Sequence, residues 1–151
     1  MKVILAAISP TRSRAKSTPA DTLTAEFLTR AGRYLPCTSQ TFDSEASLFT
    51  WAERQAARTA PILILFDRTG KQLSSDQFAG QVGTLRDSGA QVFVLAIGPA
   101  DGWSSEARAR ATHLISFGPI TLPHELARAV LAEQLYRALT ILAGHPYHSS
   151  H

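Results

Sequence analysis

Apolar positions along the chain follow two rhythms. Short apolar runs containing β-branched residues occur at 2–8, 61–66 and 92–97, each a strand's length, with a weaker run at 35–42 broken by Pro36 and a short one at 113–117. Between them apolar residues recur every three or four positions, the spacing of an amphipathic helix. Thr18-Pro19-Ala20-Asp21 opens the first helix with a cap, a proline and an early carboxylate, and Leu23, Phe27, Leu28 and Ala31 continue it. Asp43 or Ser44 caps a second, to about 57, with Ala46, Phe49, Trp51 and Ala52 as its apolar side. Ser74 and Gln77 form a capping box for a third, to about 88, and a short fourth spans 104 to about 111. The 61–66 run predicts the middle strand of the sheet and the run with Pro36 an edge strand, with a turn at 67–71. Alternating strands and helices predict an open, mostly parallel α/β sheet with helices on both faces. Ligands of such sheets sit beyond the carboxyl ends of the strands, here the loops after Phe66, at 98–103 and at 117–122.

The last helix begins near Pro123, which suits a first turn, with Thr121 placed to accept from its free amides, and Gly144 and Pro146 end it. Ala127, Leu131, Leu135, Ala138 and Leu142 form one stripe, and Leu126, Val130 and Ile141 form a second that contains Glu133 and Arg137. So wide an apolar surface needs more than one neighbour, most simply another copy of the chain or a ligand.

Composition narrows the class. The 151 residues make about one domain, 1–151, and 44% hydrophobic with 18% charged residues is ordinary for a globular protein. No apolar run approaches the roughly 20 residues of a membrane span, and no signal-peptide pattern follows residues 3–8, which predicts a cytoplasmic protein. One cysteine, Cys37, excludes an intramolecular disulfide and a cysteine-rich zinc site, and reads as a small buried apolar residue. The net charge of +3 is compatible with a polyanionic partner. Arg12, Arg14 and Lys16 crowd into one loop with small residues between them, either a solvated loop or a contact to an RNA backbone. His145, His148 and His151 are spaced by three without carboxylate or cysteine support, so a polar tail is the plainer reading and no metal is expected. Gly98 and Gly102 do not complete a dinucleotide fingerprint, and there is no P-loop. His124 can cap the last helix or meet an anion there.

The run Thr121-Leu122-Pro123-His124, then Ala132-Glu133-Gln134-Leu135-Tyr136-Arg137-Ala138, then Gly144-His145-Pro146-Tyr147-His148 resembles the C-terminal signature of the RlmH family. These are S-adenosylmethionine-dependent methyltransferases of the knotted SPOUT class that act on a pseudouridine of large-subunit ribosomal RNA. Two further segments are similar: 65–75, and Ile97-Gly98-Pro99-Ala100-Asp101-Gly102-Trp103 in place of the family's Ile-Gly-Gly-x-x-Gly-Leu. Pro99 departs from that pattern and removes an N–H, and Gly118-Pro119 replaces a pair that differs in most relatives. The likeness is strongest from 65 to 148.

The resemblance implies a SPOUT-type α/β fold with a C-terminal trefoil knot, a homodimer, and methylation of N3 of a pseudouridine in 23S ribosomal RNA of the assembled ribosome. Carried over residue by residue, it implies cofactor contacts from Phe66, Gly98, Phe117, Gly118, Pro119, Ile120, Thr121 and Leu122. Arg137 then stabilises developing negative charge while Glu133, Tyr136 or His148 assists proton removal. Arg12, Arg14, Lys16, Tyr147 and His148 become RNA contacts. Two alternatives stay open: a non-catalytic ribosome-binding protein on the same scaffold, and a related knotted methyltransferase of transfer RNA.

Overall fold

The computed structural model describes residues 1–10 and 17–149. Its elements are β1 (Lys2–Ile8), α1 (Pro19–Ala31), β2 (Cys37–Phe42), α2 (Glu45–Ala56), β3 (Ile62–Gln72), α3 (Ser75–Asp87), β4 (Val92–Ile97), α4 (Ser105–Arg110), β5 (His113–Ser116) and α5 (His124–Leu142), followed by one 3-10 turn at Pro146–His148. The five strands pair in parallel in the order β2-β1-β4-β3-β5.

Local chemistry fixes the helix starts. The Thr18 hydroxyl accepts from Asp21 N while Asp21 accepts from Thr18 N, and Ser74 and Gln77 exchange the same pair of bonds. For α2 the cap is Ser44, with Ser47 as its reciprocal partner. Such caps are each worth about 1 kcal/mol. The Glu45 carboxylate reaches across to accept from the backbone N–H and hydroxyl of Ser104, tying α2 to the start of α4.

Because strand side chains alternate, each inner strand feeds two cores. Val3, Leu5, Ile64, Phe66, Phe93 and Leu95 pack with α1, α3 and α5. Ile4, Ala6, Leu63, Leu65, Val94 and Ala96 pack with residues of α2 and α4. β2 lies at the edge, as Pro36 predicts. The middle strand, however, is β4, with β3 one place from the opposite edge. A continuous apolar run reports burial on both faces, which β3 and β4 share; it does not report a strand's place in the order.

The turn expected at 67–71 is a bulge inside β3. Phe66 and Lys71 both pair with Ile115, so the intervening residues are extruded without ending the strand. The buried Asp67 carboxylate accepts from the Thr69 N–H at 3.0 Å and from the Thr69 hydroxyl, folding the bulge on itself. Gly70 lies flush on β5: a Cβ there would sit 2.6 Å from backbone atoms of Leu114 and Ile115.

α5 packs between α1 and α3. Arg128 Nη1 lies 3.4 Å from Asp21 Oδ1 on α1, and the Ser75 hydroxyl of α3 donates to Gln134 Oε1 at 2.7 Å. Much of the apolar breadth assigned to a second copy or a ligand is therefore covered by these two helices. Leu126 stays 42% exposed and Ile120 75%. Pro123 occupies the cap position of α5 and no side chain caps it; Thr121 is exposed and plays no capping part, since the cap falls two residues after it. At the other end Gly144 adopts φ 71°, and the amides of Gly144 and His145 bond to the carbonyls of Ile141 and Thr140, the paired closure of a glycine-ended helix.

Candidate functional site

The bulge of β3 and the carboxyl ends of β4 and β5 open onto a cleft of about 540 Å³. Its walls are Phe66 and Arg68, the β4 loop from Ile97 to Trp103, the segment from Phe117 to Leu122, and Pro123, His124 and Ala127 of the last helix. All eight residues singled out as cofactor contacts, Phe66, Gly98, Phe117, Gly118, Pro119, Ile120, Thr121 and Leu122, line it. Gly118 makes the bend into the loop at φ 102°, and its N–H donates to the Ser116 hydroxyl at 3.0 Å. Backbone groups of Ile120, Thr121 and Leu122 enter no hydrogen bond among the described residues. His124 Nε2 is buried without a partner on the same wall.

Trp103, not foreseen as a site residue, organises the β4 loop. Its indole N–H donates to the Phe66 carbonyl at 3.0 Å, and the ring is 3% exposed. It passes so close to Gly98 that a Cβ there would stand 2.7 Å from Nε1. Gly98 therefore makes room for an aromatic side chain. Gly102 N donates to Pro99 O at 2.9 Å, and the turn closes on Gly102 at φ 89°. Beneath it, Arg108 Nε approaches Asp67 Oδ2 at 3.2 Å. Burial raises the Asp67 pKa, but the Thr69 hydrogen bonds and Arg108 outweigh it and hold the carboxyl below its ordinary 3.8.

A second cleft of about 440 Å³ lies beyond a shared wall of Phe66, Phe117, Gly118, Ile120 and Leu122. The two phenyl rings of that wall are stacked, with centroids 4.8 Å apart. Its far side is Phe78 with Ser74 and Ser75 at the start of α3, and Val130 and Gln134 on α5.

Gln134 joins this cleft to a polar chain. Its Nε2 donates to Glu133 Oε2 at 2.8 Å; Glu133 Oε1 accepts from Arg137 Nη2 at 2.6 Å, Arg137 Nε at 2.9 Å and the Tyr147 hydroxyl at 3.0 Å. Arg137 Nη1 lies 2.9 Å from His148 Nδ1, and the guanidinium sits over the Tyr147 ring. His148 Nε2 faces Asp76 Oδ2 at 3.5 Å. Since a guanidinium only donates, His148 Nδ1 accepts and Nε2 carries the proton in this arrangement. The Glu133–Arg137 pair has side chains 19% and 17% exposed, so it is not a solvated surface pair. Burial, then the bond and charge of Glu133, keep the Tyr147 phenol above its ordinary 10.0 despite Arg137 nearby.

Three of the four residues singled out for catalysis, Glu133, Arg137 and His148, thus meet, with Tyr147 among them. Tyr136 is buried instead in an aromatic cluster, with Phe27, Tyr34 and Tyr147 around its ring. Arg12, Arg14 and Lys16 lie outside the described residues, as does His151. His145 Nδ1 accepts from Tyr147 N, and no group of three His, Cys, Asp or Glu suited to a metal occurs among the described residues. Cys37 is half-buried; its thiol donates to Leu35 O, and burial pushes its pKa up to about 11. No described helix is long and apolar enough to cross a membrane.

Comparison with known proteins gives this geometry a setting. A family model described as "Predicted SPOUT methyltransferase" matches residues 1–148. The chain is 48% identical over 138 residues to the ribosomal RNA large subunit methyltransferase H of Koribacter versatilis (strain Ellin345), covering 91% of this chain and 94% of that one. Among solved structures it resembles a probable methylase family protein from Haemophilus influenzae Rd KW20, with TM-score 0.60, 9% identity and coverage of 97% of this chain and 70% of that one. It also resembles the SpoU methyltransferase AviRb from Streptomyces viridochromogenes in complex with the cofactor AdoMet, with TM-score 0.50, 15% identity and coverage of 96% and 58%.

Proposed function

The chain belongs to the SPOUT methyltransferase family, among relatives named ribosomal RNA large subunit methyltransferase H, and it is an rRNA methyltransferase; from that premise we propose that it transfers a methyl group from S-adenosylmethionine to N3 of a pseudouridine in 23S ribosomal RNA of the assembled ribosome. The observation that carries the cofactor part is the larger cleft. It pairs apolar walls, Phe66, Ile97, Ile120 and Leu122, with loop backbone groups that the protein leaves unclaimed, the surroundings that enclose an adenine and read its edge. When bound, the sulfonium supplies a methyl group already activated for displacement.

The protein's share is then alignment and charge. The acceptor base enters where the two clefts meet along their shared lining, so that its N3 can reach the methyl group. Each oxygen of Glu133 is already engaged, so its role is to hold Arg137 and Tyr147 rather than to take a proton. The Tyr147 phenol stays a donor at neutral pH. Arg137 turns from His148 to the acceptor's oxygen as negative charge develops there. With Arg137 turned away, His148 Nδ1 takes the N3 proton. With that proton held on His148, N3 would be the nucleophile facing the methyl group that the bound cofactor would supply.

A second copy of the chain completes the enzyme by covering the outer face of α5, where Leu126 is exposed and Val130 and Ile141 are half-buried. The C-terminal segment is threaded as a trefoil knot, and the single domain acts in the cytoplasm. Titration calorimetry with S-adenosylmethionine tests the reading: one site per chain is expected. A folded protein that takes up none would instead be a ribosome-binding protein without transfer activity. Nucleoside mass analysis of a deletion strain would expose a transfer RNA substrate.

A further inference from the structure

The bulge in β3 has a purpose the cleft alone does not require. It interrupts β3 with extra residues and is held from three sides: by Thr69 on the Asp67 carboxylate, by Arg108 on the same carboxylate, and by Gly70 against the β5 backbone. Asp67 is buried, its negative charge turned inward and paired with Arg108, and its lowered pKa keeps it ionised. The side chains left outward are Arg68, on the rim of the larger cleft, and Lys71, both exposed and neither in an ion pair among the described residues. Asp101, also in that lining, is the acidic residue there that enters no ion pair among the described residues. A rigid bulge that hides its carboxylate and presents two free cations, one of them on the rim of the larger cleft, suits a phosphodiester backbone, because ordering the long side chains costs less when their attachment is already fixed.

We propose that Arg68 and Lys71 bind phosphates of the RNA strand flanking the target nucleotide. This rests on the ribosomal RNA reading above, and adds to the RNA contacts that the resemblance implies. Phosphate contacts position a strand without reading its bases, so the effect falls on affinity and salt dependence.

The test compares the Arg68→Gln/Lys71→Gln double variant with a control of equal net charge, Arg54→Gln/Arg58→Gln, whose exposed cations belong to the end of α2. Ribosome binding is measured by co-sedimentation over a range of salt, and S-adenosylmethionine binding by calorimetry. Loss of two phosphate contacts should lower the slope of log K against log salt by roughly 1.4 to 1.8. In the control neither the slope nor the cofactor affinity should change; in the double variant the slope decides, because Arg68 also lines the larger cleft. An unaltered slope, or an equal drop in the control, overturns the proposal. So does weakened cofactor binding at constant slope, which would make the bulge part of the cofactor cleft. If the parent binds ribosomes but methylates nothing, the catalytic reading fails while the slopes still decide the docking surface.

Discussion

Gly98→Ala is the sharpest perturbation of the site, because only space argues against it. The backbone of Gly98 is outside the set of positive-φ glycines, so alanine meets no conformational barrier and should even gain some stability through the unfolded chain. Its methyl, however, would stand 2.7 Å from Trp103 Nε1, 2.8 Å from Cε2 and 3.0 Å from Cδ1. The indole is buried and cannot swing into solvent without surrendering its 3.0 Å bond to the Phe66 carbonyl. Overpacking costs about 1–3 kcal/mol, and a buried donor left without its acceptor about 1–3 kcal/mol more. Allowing for the gain in the unfolded state, the expected loss is about 2–4 kcal/mol. Urea unfolding followed by fluorescence should show a midpoint lower by about 1–2 M for a slope of roughly 2 kcal/mol per M. A double-mutant cycle with Trp103→Leu isolates the contact: alanine at 98 should cost at least about 1 kcal/mol less once the indole is gone. A loss below about 1 kcal/mol, or an equal loss in both backgrounds, would refute the view that Gly98 exists to admit Trp103.

Other perturbations follow from the same geometry. Asp67 has a folded pKa below its ordinary 3.8, so its contribution is complete above that value and is lost as pH falls through the lower folded one. Asp67→Asn should therefore lose about 1–3 kcal/mol at pH 6, with the gap from the parent narrowing at pH 3 in urea unfolding. Tyr147 shifts the other way: its contribution is complete below the unfolded value near 10.0 and fades as pH rises through the higher folded one. Part of the stability lost between pH 8 and 11 should then vanish in Tyr147→Phe. Glu133→Gln releases Arg137 and Tyr147 without touching the larger cleft; turnover should fall about tenfold or more while cofactor affinity in calorimetry stays within about twofold.

The helix starts were legible because their causes are local. Thr18 with Asp21 and Ser74 with Gln77 each satisfy backbone donors three residues away. The larger cleft was legible through its loops, since carboxyl ends of parallel strands converge whatever their order. What escaped depends on contacts between distant segments. Trp103 looks like one more loop aromatic until Phe66, 37 residues earlier, offers its carbonyl. The Ser75–Gln134 link spans 59 residues and closes the far side of the smaller cleft, a contact no spacing foretells. Asp67-Arg68-Thr69-Gly70-Lys71 does carry turn chemistry, and the structure uses it to extrude a bulge because β5 is there to continue the pairing. The failed Thr121 cap has a simpler cause, the cap position falling on Pro123.

The most direct test is to incubate large-subunit-containing ribosomes from a strain lacking this gene with the purified protein and S-adenosylmethionine carrying an isotopically labelled methyl group, then digest the 23S RNA and weigh its nucleosides. The account predicts the label on a single pseudouridine as its N3-methyl derivative, abolished by Arg137→Ala. Label found only on transfer RNA, or none on any RNA from a preparation that binds the cofactor, would contradict it.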